Sequence, residues 1–546
     1  MNQRPSNGPE GPKRAGDYSG PEAERIIPKM NHYPMDIQHY AGHWKYFPEY
    51  NCRYLKGVVY CETPKEQNLQ NFNLFVPKAY LNEDGSVNLE GVCGRFTAET
   101  APIIMQSSVM GYSEAPAGML RADGRGPDQK LATAFLASGM IYCSVGVRGR
   151  QTQDAQGNYV GKAPALLTDV KAALRFYRHN KTHLPGNTDR IIFVGVSAGG
   201  NLAALVGSTC DRAEFEPGLR EIGAVMDESD AVYASQCYCP ITALSHADMA
   251  YEWMFRGQYK TEGTPIDPAG KTLTAFQRRL SEELAVRYIR YVNDLGLSDP
   301  ATGQALTLGS DGRSGTFYDA LLRELEASAT KYLRLIRENS PKVISCTPAQ
   351  YVSGDYTMVR HTPGGDQVSP GIDKSTWLSW DGEAAHITGL SPMLLGVAKR
   401  MKNCPAFDSL DLQEFENEEF GPSSQKLSHF NRMMASVLEA LQNDFPEESE
   451  KYLPTYRAIQ DDPLLMEQEK LLNPHSFIGT GTENLCSHFR IRAGSMDPHT
   501  SFSTAMLLAY NLKRAGADVD FAFVWEAKHG VCDYEGELME WIQSIL

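Results

Sequence analysis

The sequence predicts an α/β fold, a mostly parallel central sheet with helices on both faces, interrupted by a large and mainly helical insertion. Three observations carry that prediction. From about residue 100 to 240, short apolar runs alternate with stretches of helical periodicity. From Ile241 to about Pro474 the chain instead reads as charged helices, and from Leu485 onward the alternation resumes. Strands that alternate with helices pair in parallel and are covered on both faces. A sheet pattern broken in this way predicts an inserted layer over the carboxyl edge of the sheet, where ligands bind in such folds.

The elements follow in order. Residues 1–30, rich in Pro, Gly and charge and without an apolar run of leader length, read as a disordered tail. Residues 31–240 and 475–546 form the predicted catalytic core, and residues 241–474 the inserted lid. Within the core, "YLKGVVYC" (Tyr54–Cys61) and "NFNLFVPKAY" (Asn71–Tyr80) suggest an opening hairpin. "APIIMQ" (Ala101–Gln106), the helical "DQKLATAFLASG" and "GMIYCSVG" (Gly139–Gly146) read as strand, helix, strand. Leu166, Val170, Ala173, Leu174 and Tyr177 recur at helical spacing, and the strand "IIFVG" follows. A helix and the buried strand "AVYASQCYCP" close the first half. The insertion is helical except for a stretch rich in turn residues from Thr362 to Gly382. "LCSHFRIRAG", "AMLLAYNLKRAG", "VDFAFVWEAKHG" and a closing helix restore the strand–helix rhythm.

Composition narrows the function. A net charge of −15, from 52 basic and 67 acidic residues, argues against a nucleic-acid partner. No stretch approaches the roughly 20 apolar residues of a membrane span. The 11 cysteines show no zinc-ligand spacing, and Cys237 and Cys239 stand too close together for one, so reduced thiols in a cytoplasmic protein are expected. Neither a cofactor nor a metal is expected, and the oligomeric state is left open.

The chemistry concentrates in "GVSAGG". A strand, then Gly195-Val196-Ser197-Ala198-Gly199, then a helix is the nucleophile elbow, a sharp turn that holds Ser197 clear of the sheet. Gly195 and Gly199 are small there because bulk would strike neighbouring backbone. The N–H of Ala198, at the amino end of the helix, is placed to bind an oxyanion. Serine needs a base, and the base an orienting carboxylate, which follow in the order Ser, acid, His in this arrangement. Asp497, just past the "FRIRAG" strand, and His529, just past the final strand, lie on the same sheet edge as Ser197. His475, His488 and His179 fit the base less well, and Asp230 stands at the wrong end of its strand for the acid. The second oxyanion donor is expected in the loop after "APIIMQ", at the N–H of Met110 or Gly111.

The chain resembles the bacterial subtype B tannases, intracellular-type esterases of the α/β-hydrolase superfamily with a large inserted lid. The resemblance extends from about Pro102 to the C-terminus and rests on "VRGR", "GNYVGKAPALLTDVKAALRF", "LPGNTDRI", "GVSAGG", "ADMAYEW", "KRMKNCPAFDSLDLQEFEN" and "DVDFAFVWEAKHGVCDY". It implies a triad of Ser197, Asp497 and His529, in agreement with the reading from the residues. It further implies that galloyl hydroxyls are held by a lysine and a glutamate fourteen residues apart, and by an aspartate two after the triad aspartate. Lys402 and Glu416 match the first two; the third position is His499. Replacing a charged acceptor by imidazole costs about 1.5–3 kcal/mol of recognition for a phenol. Fungal tannases and feruloyl esterases join a cysteine before the serine to one after the histidine; here Val196 precedes Ser197, so Cys532 lacks that partner.

The expected activity is therefore hydrolysis of galloyl or related phenolic-acid esters through an acyl-enzyme, on a small-molecule substrate. A feruloyl or general short-chain aryl esterase, a peptidase of the same fold and a phenolic-binding protein without catalysis are the alternatives.

Overall fold

Nine strands form one sheet. In this computed structural model, which describes residues 29–124, 129–263, 268–362, 365–479 and 481–546, β1 (Lys45–Phe47), β2 (Cys52–Val59) and β3 (Asn71–Pro77) make an antiparallel edge. β4 (Pro102–Gln106), β5 (Ile141–Val145), β6 (Asn187–Val196), β7 (Ala234–Tyr238), β8 (His488–Gly494) and β9 (Asp518–Val524) run parallel to one another. The spatial order is β1-β2-β3-β5-β4-β6-β7-β8-β9. The expected tail lies, up to residue 28, outside the described residues.

β4, β5 and β7 are buried along their whole length, which is why apolar residues dominate them, with Gln106, Ser144, Ser235 and Gln236 as buried polar exceptions. The chain passes from β4 to β5 on one side and returns to β6 on the other. Loops leaving the carboxyl ends of β4 and β6 therefore part there and open a crevice. The helices α1 (Gln129–Ala137), α2 (Ala165–His179) and α3 (Ala198–Ser208) connect these strands. α2 is buried almost all round, and its charges are paired: Arg148 donates to Asp169, and Lys171 and Arg175 both donate to Asp230. Breaking such a buried pair from one side costs about 3–5 kcal/mol. Asp230 is thereby committed to bracing α2.

Between β7 and β8 lie helices at Leu244–Met254, Ala275–Asp294, Thr316–Arg337, Leu390–Val397, Met434–Leu441, Pro446–Ile459 and Pro463–Leu472. The stretch read as a turn-rich break instead holds two small hairpins, Thr357–Thr362 with Gly365–Pro370 and Leu378–Trp380 with Ala385–Ile387. The Pro363-Gly364 pair between β-forming residues was the overlooked signal. The inserted helices share one continuous apolar core with the sheet. Ser328 donates to the carbonyl of Phe523 in β9 at 2.8 Å, and Tyr288 bonds Ser503 at 2.6 Å. Among the described residues no helix is long and apolar enough to cross a membrane.

Candidate active site

Ser197 sits between β6 and α3 with φ +62° and ψ −121°, a strained conformation for a residue with a side chain. Its N–H donates to the carbonyl of Tyr238, at the end of β7, at 2.9 Å. The glycines enforce that turn. A Cβ on Gly195 would lie 1.8 Å from the carbonyl oxygen of Gly199, and one on Gly200 would lie 2.4 Å from that of Tyr238. Gly199 differs from expectation, since its Cβ would meet nothing closer than 3.4 Å. The glycines that the packing requires are therefore Gly195 and Gly200. Ala198 opens α3, so its N–H has no intrahelical acceptor.

The other two residues arrive from strand ends beyond the insertion. His529 Nε2 lies 2.8 Å from Ser197 Oγ, and its Nδ1 lies 2.7 Å from Asp497 Oδ2. Asp497 is buried, and its second oxygen accepts the backbone N–H of His499 at 2.8 Å. Burial alone would push the His529 pKa down. The Asp497 carboxylate outweighs it, the Cys239 thiol adds to that, and the imidazole lies above the ordinary histidine range. The loop that carries His529 is pinned from behind. Asp533 accepts from Arg490 at 2.5 and 2.9 Å and also from the Tyr238 hydroxyl.

The loop after β4 passes beside this elbow, with the Val109 and Ser107 carbonyls 3.4 and 3.5 Å from the position of a Gly199 Cβ. Met110 is 76 % exposed, and Gly111 is left-handed with φ +53°. The Met110 carbonyl accepts from Ser113, and the Gly111 carbonyl accepts from Arg150 Nε at 2.8 Å. Among the described residues the N–H groups of Met110 and Gly111 donate to no other group.

Lys402 and Glu416, both from the insertion, approach to 3.8 Å, with the Lys402 ammonium 3.8 Å from the centre of the Phe407 ring. One Glu416 oxygen is buried without a partner. Tyr251 fastens this segment to the loop that carries Asp497: its hydroxyl accepts the Lys402 N–H at 2.9 Å and donates to the carbonyl of Pro498 at 3.0 Å. His499, the residue after Pro498, has its ring centre 4.7 Å from that of His529. Burial, then the neighbouring His529, brings His499 down to about 4, so it is neutral at ordinary pH. A buried carboxyl near Glu416, that of Glu419, has neither oxygen partnered, and burial pushes its pKa well up.

Sequence reasoning missed three residues here. Tyr251 and Arg150 lie within "ADMAYEW" and "VRGR", two of the strings that carry the family resemblance, but nothing in those strings assigns either side chain a role. Cys239 lies 3.6 Å, sulfur to sulfur, from Cys532, so the latter does have a cysteine neighbour, supplied by the residue just past β7 in place of the residue before the serine. All 11 cysteines are free. Cys239, Asp497 and His529 form the one group of potential metal ligands among the described residues, with ligand atoms within 4.8 Å. Both His529 nitrogens are already engaged.

Comparison with known proteins adds to this geometry. The family model BD-FAE matches residues 123–247. A search of curated proteins finds no match. The structure of the tannin acyl hydrolase from Lactobacillus plantarum superposes with a TM-score of 0.72 at 31 % identity, covering 90 % of this chain and 94 % of that one. A tannin acyl hydrolase in complex with ethyl gallate gives 0.69 at 30 % identity, with coverages of 90 % and 94 %. The Fusobacterium nucleatum tannase gives 0.71 at 28 %, with coverages of 90 % and 95 %. With this identity sustained across nearly the whole length of both chains, the protein belongs to the tannases, carboxylic ester hydrolases of the α/β-hydrolase superfamily.

Proposed function

We propose that the protein hydrolyses aryl esters of phenolic acids by a serine acyl-enzyme mechanism. The observation that carries the reading is the unbroken chain from Asp497 Oδ2 through His529 to Ser197 Oγ, with steps of 2.7 and 2.8 Å. His529 Nε2 takes the Ser197 proton as Oγ attacks the ester carbonyl, and Asp497 stabilises the imidazolium that forms. The N–H groups of Ala198 and of Met110 or Gly111 receive the oxyanion. His529 then gives its proton to the departing alcohol, and a water activated by the same imidazole releases the acid.

Lys402, Glu416 and His499 face the acyl ring, and residues 241–474 serve as the lid. Glu416, short of a partner on one oxygen, accepts a phenolic hydroxyl, and Lys402 donates to or screens its neighbour. The ethyl gallate complex of a relative supports a phenolic acyl group as the substrate class. A second reading, a feruloyl or broader aryl esterase, is favoured by the neutral His499, which accepts a hydroxyl weakly yet donates well to a methoxy oxygen.

The test is labelling by an aryl phosphonate followed by peptide mapping, together with rates on methyl gallate, methyl ferulate and nitrophenyl acetate. Ser197 is expected to carry the label, and Ser197→Ala to lose on the order of 10⁶ in turnover. Absence of label at Ser197, or unchanged hydrolysis in Ser197→Ala, would overturn the proposal.

A further inference from the structure

The "VRGR" motif has no part in the reaction as described so far, yet its second arginine touches both sides of the cleft. The loop after β4 turns through two successive left-handed residues, Gly111 at φ +53° and Tyr112 at φ +59°. Tyr112 is a large residue, so the turn is strained and persists only if its surroundings hold it. Arg150 supplies two of the bonds that do so. Its backbone N–H donates to the Tyr112 carbonyl at 3.0 Å, and its Nε–H to the Gly111 carbonyl at 2.8 Å. The Tyr112 hydroxyl, in turn, accepts from Asn201 of α3 at 3.2 Å and donates to the Ile241 carbonyl at 2.8 Å.

The same guanidinium is gripped by the insertion. Phe415, Glu416, Asn417 and Glu418 form one tight helical turn. Glu418 pairs with the Arg150 guanidinium, and the Phe415 ring lies 4.8 Å from its carbon. Phe415 also abuts Gly111, where a Cβ would come within 3.0 Å of the ring. Between Phe415 and Glu418 stands Glu416, which faces Lys402. One buried cation thus ties the turn that carries the acyl-facing carboxylate to the carbonyl of the loop residue whose N–H is an expected oxyanion donor.

We infer that Arg150 is a positioning residue that fixes the oxyanion loop against the acyl-binding turn at residues 415–418. The inference rests on the reading of Ser197 as nucleophile and of Met110 or Gly111 as oxyanion donor. Arginine is suited to this role because its planar group works in three directions at once: Nε–H to Gly111, the terminal nitrogens to Glu418 and the flat face to Phe415. Lysine keeps the charge but has neither the Nε–H nor the planar face.

Arg150→Lys is the decisive variant, and binding of a tetrahedral mimic is the readout that a structural role alone does not move. Phenylboronic acid adds to the serine oxygen as a tetrahedral anion and samples the oxyanion site, whereas planar benzoate does not. In a variant shown by circular dichroism to be folded, kcat on nitrophenyl acetate is expected to fall about 10- to 100-fold, less than the roughly 100- to 1000-fold cost of losing an oxyanion donor outright. KM is expected to change little. The ratio of boronate to benzoate affinity is expected to fall by the same factor as kcat. Glu418→Gln and Phe415→Leu, each removing one support, are expected to lower that ratio less, and they carry the test should Arg150→Lys fail to fold. A ratio unchanged in the folded variants overturns the inference. Failure of a phosphonate to label Ser197 in the unsubstituted protein would instead overturn the reading on which it rests.

Discussion

His499→Asp restores at one position the acid that the tannase resemblance implies, and the structure sets the size of two separable effects. The first concerns the acyl ring. A neutral imidazole, as burial keeps His499, offers a phenol hydroxyl an ordinary hydrogen bond of about 0.5–1.5 kcal/mol, whereas a carboxylate offers a charge-assisted one of about 1.5–3 kcal/mol, a gain of about 1–1.5 kcal/mol. At about 1.4 kcal/mol per factor of ten, kcat/KM on methyl gallate should rise about 5- to 12-fold relative to methyl trimethoxybenzoate, which has no hydroxyl to donate. The second effect concerns the base. With the ring centres of His499 and His529 4.7 Å apart, a new negative charge there attracts the imidazolium by about 3.5 kcal/mol at an effective dielectric of about 20. Halved for solvent in an open cleft, this raises the His529 pKa by about one unit. Catalysis needs neutral imidazole, so the acid limb of the kcat/KM profile should move to higher pH by that amount. Product release followed by chromatography on both esters across pH measures the two effects together. If the pH limb moves while the ester ratio changes less than about threefold, the side chain stands beside His529 but does not touch the acyl ring, and the reasoning about position 499 is refuted.

Three further outcomes follow from the geometry. Asp497→Asn should lower kcat by about 10⁴ and move the acid limb down, because the carboxylate that raises the His529 pKa is gone; a limb that stays in place or rises would contradict the pairing. Gly200→Ala should destabilise the fold by about 1–3 kcal/mol in thermal unfolding and abolish turnover, since its Cβ would strike the Tyr238 carbonyl that holds the Ser197 N–H, whereas Gly199→Ala should be nearly silent in both measurements. Asp533→Asn should cost about 2–4 kcal/mol in denaturant titration, below the full cost of an orphaned buried cation because Asp520 and Glu537 stand 3.7 and 3.8 Å from Arg490, and turnover should fall with it as the His529 loop loosens.

The sheet was legible because its physics is local. Strands buried on both faces are mostly apolar, and "PIIMQ", "IYCSV" and "ASQCY" are buried at every position, their few polar residues included. The elbow was legible for a similar reason, since a strained Ser197 flanked by backbone closer than a Cβ allows leaves a glycine signature in consecutive residues. Even so, the sequence pattern pointed to Gly199 where the packing singles out Gly200. Which glycine is essential depends on the Tyr238 carbonyl, 38 residues later in the chain, and no local string records that contact. The hairpins at Thr357–Pro370 and Leu378–Ile387 were hidden because their strands are short and satellite to the main sheet, so turn residues outweighed the β-formers between them.

The parts of the site that stayed invisible are those in which one side chain joins distant segments. Tyr251 is the clearest case. Read along its helix it is one apolar position among several, and it is fully buried, as a core residue would be. Its hydroxyl nevertheless links the Lys402 backbone to the Pro498 carbonyl, so that the segment bearing Lys402 is fixed to the two residues flanking Pro498, Asp497 and His499. Those two are themselves joined through the His499 N–H and Asp497 Oδ1. A rigid swing of the whole insertion away from the core would have to break the Tyr251 bridge, the Asn201 bond to the Leu472 carbonyl at 3.1 Å and the Lys162 bond to the Glu418 carbonyl at 2.9 Å. All three donors are buried, and each would be left unsatisfied at about 1–3 kcal/mol or reach water only by opening the core. Substrate entry is therefore expected to use side-chain movement at the exposed rim around Met110 and Phe415 and to leave the inserted helices in place. Cross-linking the insertion to the core away from that rim should leave kcat/KM on a small aryl ester unchanged, and a loss of activity that returns when the cross-link is cleaved would refute this account.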